Sequence, residues 1–239
     1  MISLIAQTFA GIFTPPFRRK EFFQQLYFVA NRSLVIIVFC VCFAAVVTIL
    51  ESSFHMKLVI QNDSMVPGFA AVLILRELAA IVTALLLSSR VGAGYASELG
   101  SMQITEQVDA LKMLGIDPVN YLVVPRFMAC LAGGIILTVI SNLTCLFAAM
   151  LVSQTYLGYT PGMFISSMHR FVQFKDLIFA AIKGGCFGAA IPLVACYFGF
   201  NCQQGAEGVG RATTNTVVVS SVAIIVMDFI LSYTFTYLY

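Results

Sequence analysis

Long apolar stretches recur along the chain and alternate with short segments that hold most of the charged residues. In a helix that rises about 1.5 Å per residue, roughly 20 apolar residues cross the hydrocarbon of a bilayer. The pattern therefore predicts an all-α integral membrane protein with about five transmembrane helices. We place these spans at residues 34–50, 69–88, 122–152, 177–200 and 217–237.

Composition supports a membrane environment. Hydrophobic residues make up 60% of the 239 positions and charged residues 10%, whereas about 25% of a soluble domain is charged. No polar stretch is long enough to form a second domain. We predict one domain over residues 1–239, with an N-terminal interfacial region at 1–33 and a transmembrane bundle at 34–239.

The segment before the first span mixes basic residues with aromatic ones. Phe22, Leu26 and Val29 share one face at helical spacing. This pattern predicts a helix that starts near Phe17 and lies in the headgroup region. The alternative is a cytoplasmic extension of the first span.

Orientation follows from the basic residues of the short loops, since Lys and Arg are enriched on the cytoplasmic side. With a cytoplasmic N-terminus, that side holds seven of them and the other side three. The count predicts an internal N-terminus and an external C-terminus. The seven are Arg18, Arg19, Lys20, Arg32, Arg90, Lys112 and Arg211, and the three are Lys57, Arg170 and Lys175.

The predicted cytoplasmic segment 89–121 contains a short amphipathic pattern. Apolar residues such as Val108 and Leu111 recur at helical spacing, while Glu106, Asp109 and Lys112 line another face. Gly115 is placed to cap the helix, and Pro118 prevents its continuation. Such a helix suits a lever pushed by a soluble motor, and the alternative is an interfacial connector without a partner.

Ionisable residues inside the spans form the second signal, because each costs at least about 2.5 kcal/mol at the bilayer centre and needs a partner or a wet cavity. Arg76, Glu77, Lys183 and Asp228 are of this kind. We expect Arg76 to pair with Asp228. The four could line a cavity for an amphiphile, or they could be a structural network that locks the bundle. Arg126 is predicted to snorkel to the interface.

Small residues indicate where helices approach closely. Gly184 and Gly188 are four residues apart in the fourth span, and Ala129, Gly133 and Gly134 give the third span a similar face. We expect these two faces to take part in close helix contacts.

The sequence shows neither a metal-binding pattern nor the pattern of an ATP-binding phosphate loop. The cysteines show no zinc spacing, so we assign no metal or other cofactor. The glycine-rich segment 205–214 lacks the lysine of a phosphate-binding loop. We therefore expect no ATP hydrolysis by that route, and any energy input must come from another polypeptide or from an ion gradient.

A set of short motifs, in order along nearly the whole chain, resembles the MlaE/YrbE permease family. The resemblance is specific as a set rather than in any one motif. One departure is Ala79-Ala80, where relatives commonly have Gly-Pro. The motifs are RKEF at 19–22, QLYF at 25–28, LREL at 75–78, SRVG at 89–92, ASELGSMQITEQVDAL at 96–111, GIDP at 115–118, VPR at 124–126, GVGRATTNTVV at 208–218, SS at 220–221 and DF at 228–229.

The resemblance implies a homodimeric permease of the bacterial inner membrane that moves phospholipid between the inner and outer membranes. It also implies a cytoplasmic ABC ATPase that holds ATP and magnesium, a periplasmic MCE-domain protein that forms a hexamer and, in some members, a STAS-domain subunit. The coupling helix would correspond to residues 103–114. The ATPase contact would then involve Glu98, Thr105, Glu106, Asp109 and Lys112.

Other functions fit parts of the pattern. A proton-driven secondary transporter could use Glu77, Asp228 and Lys183 as a relay. Within the family, the cargo could be phospholipid, another lipid or a sterol, because an apolar cavity discriminates weakly among apolar tails. Nothing in the sequence indicates a nucleic-acid partner.

Overall fold

A computed structural model describes residues 1–12, 18–59, 65–203 and 205–238, and these ranges are helical without a strand. Within the described ranges, turns, short irregular segments and π-helical stretches separate the α-helices. The α-helices are α1 (Ile2–Ile12), α2 (Arg19–Val59), α3 (Val66–Leu73), α4 (Ala79–Leu87), α5 (Ala93–Ile104), α6 (Gln107–Met113), α7 (Val124–Tyr156), α8 (Pro161–Phe171), α9 (Phe174–Phe200) and α10 (Ala206–Leu238).

Five helical stretches among the described residues are long and apolar enough to cross a membrane, which confirms the predicted fold class. Each predicted span lies inside one of them. The stretches are longer than the predicted spans because the helices continue past the apolar runs, at both ends in the first three stretches and at the N-terminal end in the last two. They are Arg19–Met56, Val66–Ile104, Val119–Tyr156, Phe174–Phe200 and Ala206–Tyr237, called the first to fifth spans below.

The N-terminal region differs from the prediction in its helix boundaries. Residues 19–33 are the first part of α2, an unbroken helix of 41 residues, so helix continuity fits the alternative of an extension of the first span. Phe17, where we expected this helix to start, lies outside the described residues. A separate helix, α1, precedes it. A position in the headgroup region stays a prediction.

The second span is longer than predicted. It continues from α4 through a π-helical turn, Ser88–Gly92, into α5, so the first part of segment 89–121 is membrane-type helix rather than loop. The amphipathic helix is correspondingly shorter than the predicted 103–114. It is α6, which has seven residues.

The two ends of α6 show how the sequence defines it. Glu106, at its N-terminal boundary, has left-handed backbone angles (φ 58°) and turns the chain away from α5. At the other end, Gly115 has φ +75°, its N–H bonds to the Lys112 carbonyl, and the Ile116 N–H bonds to the Leu111 carbonyl. This is a Schellman motif, and it confirms the predicted glycine cap.

Contacts along the chain divide it into two compact units, whose four internal boundaries all fall inside helices. Unit 1 comprises residues 1–33, 84–134 and 185–239, and unit 2 comprises residues 34–83 and 135–184. No polar linker marks either unit. The assignment of residues 1–239 to one domain stays a prediction.

Unit 1 has an apolar core at the level of α6. Val108 of α6 packs with Leu99, Leu122, Val123 and Cys196, all of them buried. Leu111 is half-buried against the same cluster. The amphipathic pattern of α6 therefore binds this helix to α5, to the start of the third span and to α9.

In unit 2, α8 packs along α3. Gly68 permits this approach, because an added Cβ would collide with the Phe171 ring and with the Ser167 carbonyl. The Gly68 N–H donates to Ser167 Oγ at 3.1 Å. A buried hydrogen bond of 2.7 Å, from Thr83 Oγ1 to Ser141 Oγ, joins the second and third spans.

Small residues of the third and fourth spans meet at Gly188 in unit 1, so this glycine takes part in a close helix contact as expected. A Cβ on Gly188 would collide with the Cys130 carbonyl oxygen and lie 3.3 Å from the Gly134 Cα. Backbone therefore lies against backbone here, as small residues allow.

Substitution of Gly188 by alanine is expected to push α7 and α9 apart and to destabilise the protein by about 1 to 3 kcal/mol, as overpacking does. Gly210→Ala is the matched control, because Gly210 is also helical and nothing lies within 4 Å of an added Cβ. The apparent melting temperature in detergent measures both. An equal response of the two variants would contradict close packing at Gly188.

Candidate functional site

Four charged side chains of unit 2 form two ion pairs that join the second and fourth spans, and we call them the charge cluster. Arg76 and Glu77 belong to a π-helical turn, Ile74–Leu78, between α3 and α4. Asp176 and Lys183 lie on α9, seven residues apart and so on one face of the helix. Arg76 and Glu77, which are adjacent in the second span, thus each bind a residue of opposite charge in the fourth span.

The first pair is Arg76 with Asp176. The Arg76 Nε lies 2.8 Å from Asp176 Oδ1. The other oxygen, Oδ2, accepts from the Gln173 N–H at 2.8 Å, so the carboxylate also caps the start of α9. A carboxylate is further stabilised at a helix N-terminus by the helix dipole. These interactions explain how Asp176 can be fully buried.

The second pair is Lys183 with Glu77, whose Nζ and Oε2 are 2.6 Å apart. Lys183 Nζ also donates to the Arg76 carbonyl at 2.9 Å and lies 4.9 Å from the centre of the Phe179 ring. The π-helical turn has an i→i+5 bond, from the Ala79 N–H to the Ile74 carbonyl. Backbone groups at membrane depth need hydrogen-bond partners within the protein. The Lys183 ammonium is such a partner for the Arg76 carbonyl.

Exposure differs sharply within each pair. The side chains of Asp176 and Lys183 are 0% exposed, whereas Arg76 is 29% and Glu77 38% exposed. Two buried charges on the fourth span therefore hold two accessible charges on the second. Removing one partner of such a pair is costly, while the intact pair adds little net stability, so the cluster is better suited to positioning charges than to stabilising the fold.

The sequence pattern found three of these four residues. It does not single out Asp176, although an acidic residue in the first helical turn after Gln173 is a helix-start signal that could have done so. Asp228, the fourth predicted residue, is half-buried on α10 in unit 1. Its pairing with Arg76 stays a prediction.

The predicted ATPase-contact residues all lie in unit 1, on α5, on α6 and in the turn between these helices. Glu106, Asp109 and Lys112 are exposed, and Lys112 Nζ binds Asp109 Oδ1 at 2.7 Å. The Thr105 hydroxyl donates to the Ser101 carbonyl at 2.9 Å. Two apolar neighbours beyond the predicted set, Met113 and Leu114, are 91% and 74% exposed.

Arg126 differs from its prediction. It does not snorkel to an interface, because only 5% of its side chain is exposed and its Nη2 lies 3.0 Å from Glu98 Oε1. A carboxylate from the preceding span compensates the buried charge, which periodicity along one helix cannot reveal.

The described residues include five helices long and apolar enough to cross a membrane, and several of them are long enough to extend beyond the bilayer, so the chain is a multi-pass membrane protein. A family profile described as Permease MlaE matches residues 22–234. The chain belongs to this family of ABC transporter permeases.

Curated relatives agree with the family. A probable ABC transporter permease protein of Synechocystis sp. is 33% identical, over 96% of this chain and 87% of its own length. A probable ABC transporter permease protein of Rickettsia felis is 31% identical, over 93% of this chain and 86% of its own. Protein TRIGALACTOSYLDIACYLGLYCEROL 1, chloroplastic, of Arabidopsis thaliana is 37% identical over 69% of this chain and 47% of its own.

Substitution of Lys183 by methionine is expected to destabilise the protein by about 1 to 3 kcal/mol, because the Glu77 carboxylate and the Arg76 carbonyl then lose their hydrogen-bond donor. Adding Glu77→Gln is expected to recover part of that loss. Lys20→Met, at an exposed lysine of α2, is the control and is expected to change stability by about 0.5 kcal/mol or less. Thermal unfolding in detergent measures all three, and a double variant no more stable than Lys183→Met would contradict the pairing.

Proposed function

We propose that this chain is the membrane-spanning subunit of an ABC-type system that moves phospholipid between the inner and outer membranes of a bacterium. A separate cytoplasmic ATPase binds and hydrolyses ATP with magnesium, and this chain is non-catalytic. The family supports the coarse part of this proposal, since ABC permeases work with an ATPase.

The charge cluster carries the substrate part of the proposal. A phospholipid needs a site that tolerates both an anionic headgroup and apolar tails. A guanidinium matches phosphate geometry, and Arg76 is accessible while Asp176 fixes its position. The surrounding helices are apolar. This juxtaposition fits an amphiphile better than a small polar solute.

The Arabidopsis relative adds a chemical hint, because its name contains trigalactosyldiacylglycerol, a glycerolipid. A diacylglycerol backbone is common to galactolipids and phospholipids. This supports a lipid cargo for the present chain, and the phosphate-matching Arg76 favours phospholipid over a galactolipid or a sterol.

The surface around α6 supports the ATPase part. It presents carboxylates at Glu106 and Asp109 beside the exposed apolar side chains of Met113 and Leu114. Apolar anchors beside charges are typical of protein interfaces. The packing of Val108 and Leu111 into the core of unit 1 gives α6 the firm attachment that a coupling helix needs.

The remaining partners follow from the family resemblance and complete the proposal. They are a second copy of this chain, a hexameric periplasmic MCE-domain protein and, as in some members of the family, a STAS-domain subunit on the ATPase. The membrane is the bacterial inner membrane, with the N-terminus cytoplasmic and the C-terminus periplasmic. The long apolar exposed face of α10 is compatible with a second copy or with lipid.

Reversal of Glu106 and Asp109 to lysine is expected to weaken assembly with the ATPase. Two positive charges would then face an ATPase surface that is complementary to the original carboxylates. Membrane insertion is expected to survive, since both residues are exposed. Co-purification of the ATPase from the native membranes measures assembly. Unchanged co-purification would contradict the assignment of α6 as the coupling helix.

Arg76→Gln is expected to reduce co-purified phospholipid by about tenfold or more, because a hydrogen bond to a charged group is typically worth about 1.5 to 3 kcal/mol and about 1.4 kcal/mol is tenfold. Native mass spectrometry of the protein in mild detergent reads bound lipid and subunits together. Arg170→Gln, at an exposed arginine on α8, is the control. Equal lipid in the two variants would contradict a headgroup role, and transport without any ATPase would favour the gradient-driven alternative.

A further inference from the structure

Arg126 is the third residue of α7, and its guanidinium makes two kinds of contact inside unit 1. Nη2 lies 3.0 Å from Glu98 Oε1. Nη1 donates to the Leu122 carbonyl at 2.9 Å. The side chain is 5% exposed, whereas that of Glu98 is 52% exposed. A buried cation of the third span is therefore bound to a half-exposed anion of the second.

Local sequence explains why an arginine fits at this position. Pro125 has no N–H to donate, and the preceding turn, Val119–Val123, is π-helical, with the Val124 N–H bonded to the Val119 carbonyl. Carbonyls near such an irregularity need other donors. Arginine supplies several donors in a fixed plane, so one side chain binds both a carbonyl of this turn and the Glu98 carboxylate.

Aromatic rings extend the contact to the first span. The Arg126 guanidinium carbon lies 5.5 Å from the centre of the Tyr95 ring, within the range of a cation–π interaction. Tyr95 is fully buried and stacks on Phe28 at 5.9 Å between ring centres. The ion pair is thus part of a packed stack of side chains from α2, α5 and α7.

The position of the pair along the chain gives it a mechanical consequence. Glu98 precedes α6 in the chain and Arg126 follows it. The ion pair therefore joins the two ends of the segment 98–126, in which α6 lies. Within that segment, Val108 and Leu111 hold α6 against Leu99 and Leu122. A force applied to α6 therefore acts on a segment whose two ends are joined by an ion pair.

We infer that Glu98 is a positioning residue that couples α6 to the second and third spans through Arg126, rather than a contact for the ATPase. The inference rests on the proposed function, in which α6 receives the movement of the ATPase. With the pair intact, displacement of α6 moves the two spans together. Without the pair, α6 is displaced while the two spans move separately, so ATP is hydrolysed with little transport.

The test compares Glu98→Gln with the unaltered protein, each in complex with its ATPase and reconstituted in liposomes. Three quantities are measured: the co-purified ATPase, the rate of ATP hydrolysis, and the transfer of a fluorescent phospholipid to acceptor vesicles. Glutamine keeps the size and an acceptor oxygen but removes the charge. We expect unchanged co-purification and hydrolysis, with the lipid transferred per ATP lowered about fivefold or more, the smaller end of typical coupling effects.

Matched variants separate positioning from contact and from simple damage. Glu98→Asp keeps the charge and is expected to restore most of the transfer per ATP. Glu106→Gln removes an exposed carboxylate from the α6 surface and is expected to reduce co-purified ATPase instead. If Glu98→Gln does not accumulate, Arg126→Lys, which keeps the charge with a different donor geometry, is expected to lower the same ratio.

Two results would overturn the inference. Loss of co-purified ATPase in Glu98→Gln would make Glu98 an ATPase contact, and an unchanged transfer per ATP would leave the ion pair without a coupling role. Failure of the proposed function is a separate observation, because it would be seen as absent ATPase or absent transfer with the unaltered protein.

Discussion

The need to compensate ionised groups inside membrane helices determines how the second and fourth spans meet in unit 2. Asp176 and Lys183 are fully buried, and each is matched by a charge of the second span at hydrogen-bonding distance. The two pairs fix the register of the second and fourth spans in unit 2, because a shift of one residue along either helix would separate both. Both partners on the second span lie in the π-helical turn Ile74–Leu78, and the Asp176 carboxylate also accepts from the Gln173 N–H at the start of α9.

Unit 1 also contains a buried charge that an opposite charge on another helix compensates. Arg126 is buried beside a proline and a π-helical turn, and Glu98 compensates its charge. Both sites combine a π-helical turn with a cationic side chain that donates to a backbone carbonyl, Lys183 to Arg76 and Arg126 to Leu122. Irregular backbone is expected in a membrane helix only where such donors satisfy it, and it is frequent at functional sites.

The proposed transport function uses the two units for different tasks. In unit 2 the charge cluster presents an accessible guanidinium among apolar helices, the chemistry that an anionic amphiphile requires. In unit 1 the exposed face of α6 carries charges and apolar side chains, while its buried face is packed against α5 and the start of the third span. A permease needs both a site for cargo and a surface for the motor, and the chain has a candidate for each.

The sequence by itself determined the five spans, the amphipathic face of α6, its glycine cap and most of the charged cluster residues. These depend on local quantities, namely hydropathy, helical periodicity and the φ > 0 preference of glycine. Only the tertiary structure decided that Asp176 binds Arg76, that Arg126 is buried against Glu98, and that the second span continues to Ile104. Which charges pair between helices depends on the register and rotation of the helices relative to each other. The sequence pattern defines neither, because it shows the charges of each helix but not which neighbouring helix compensates them.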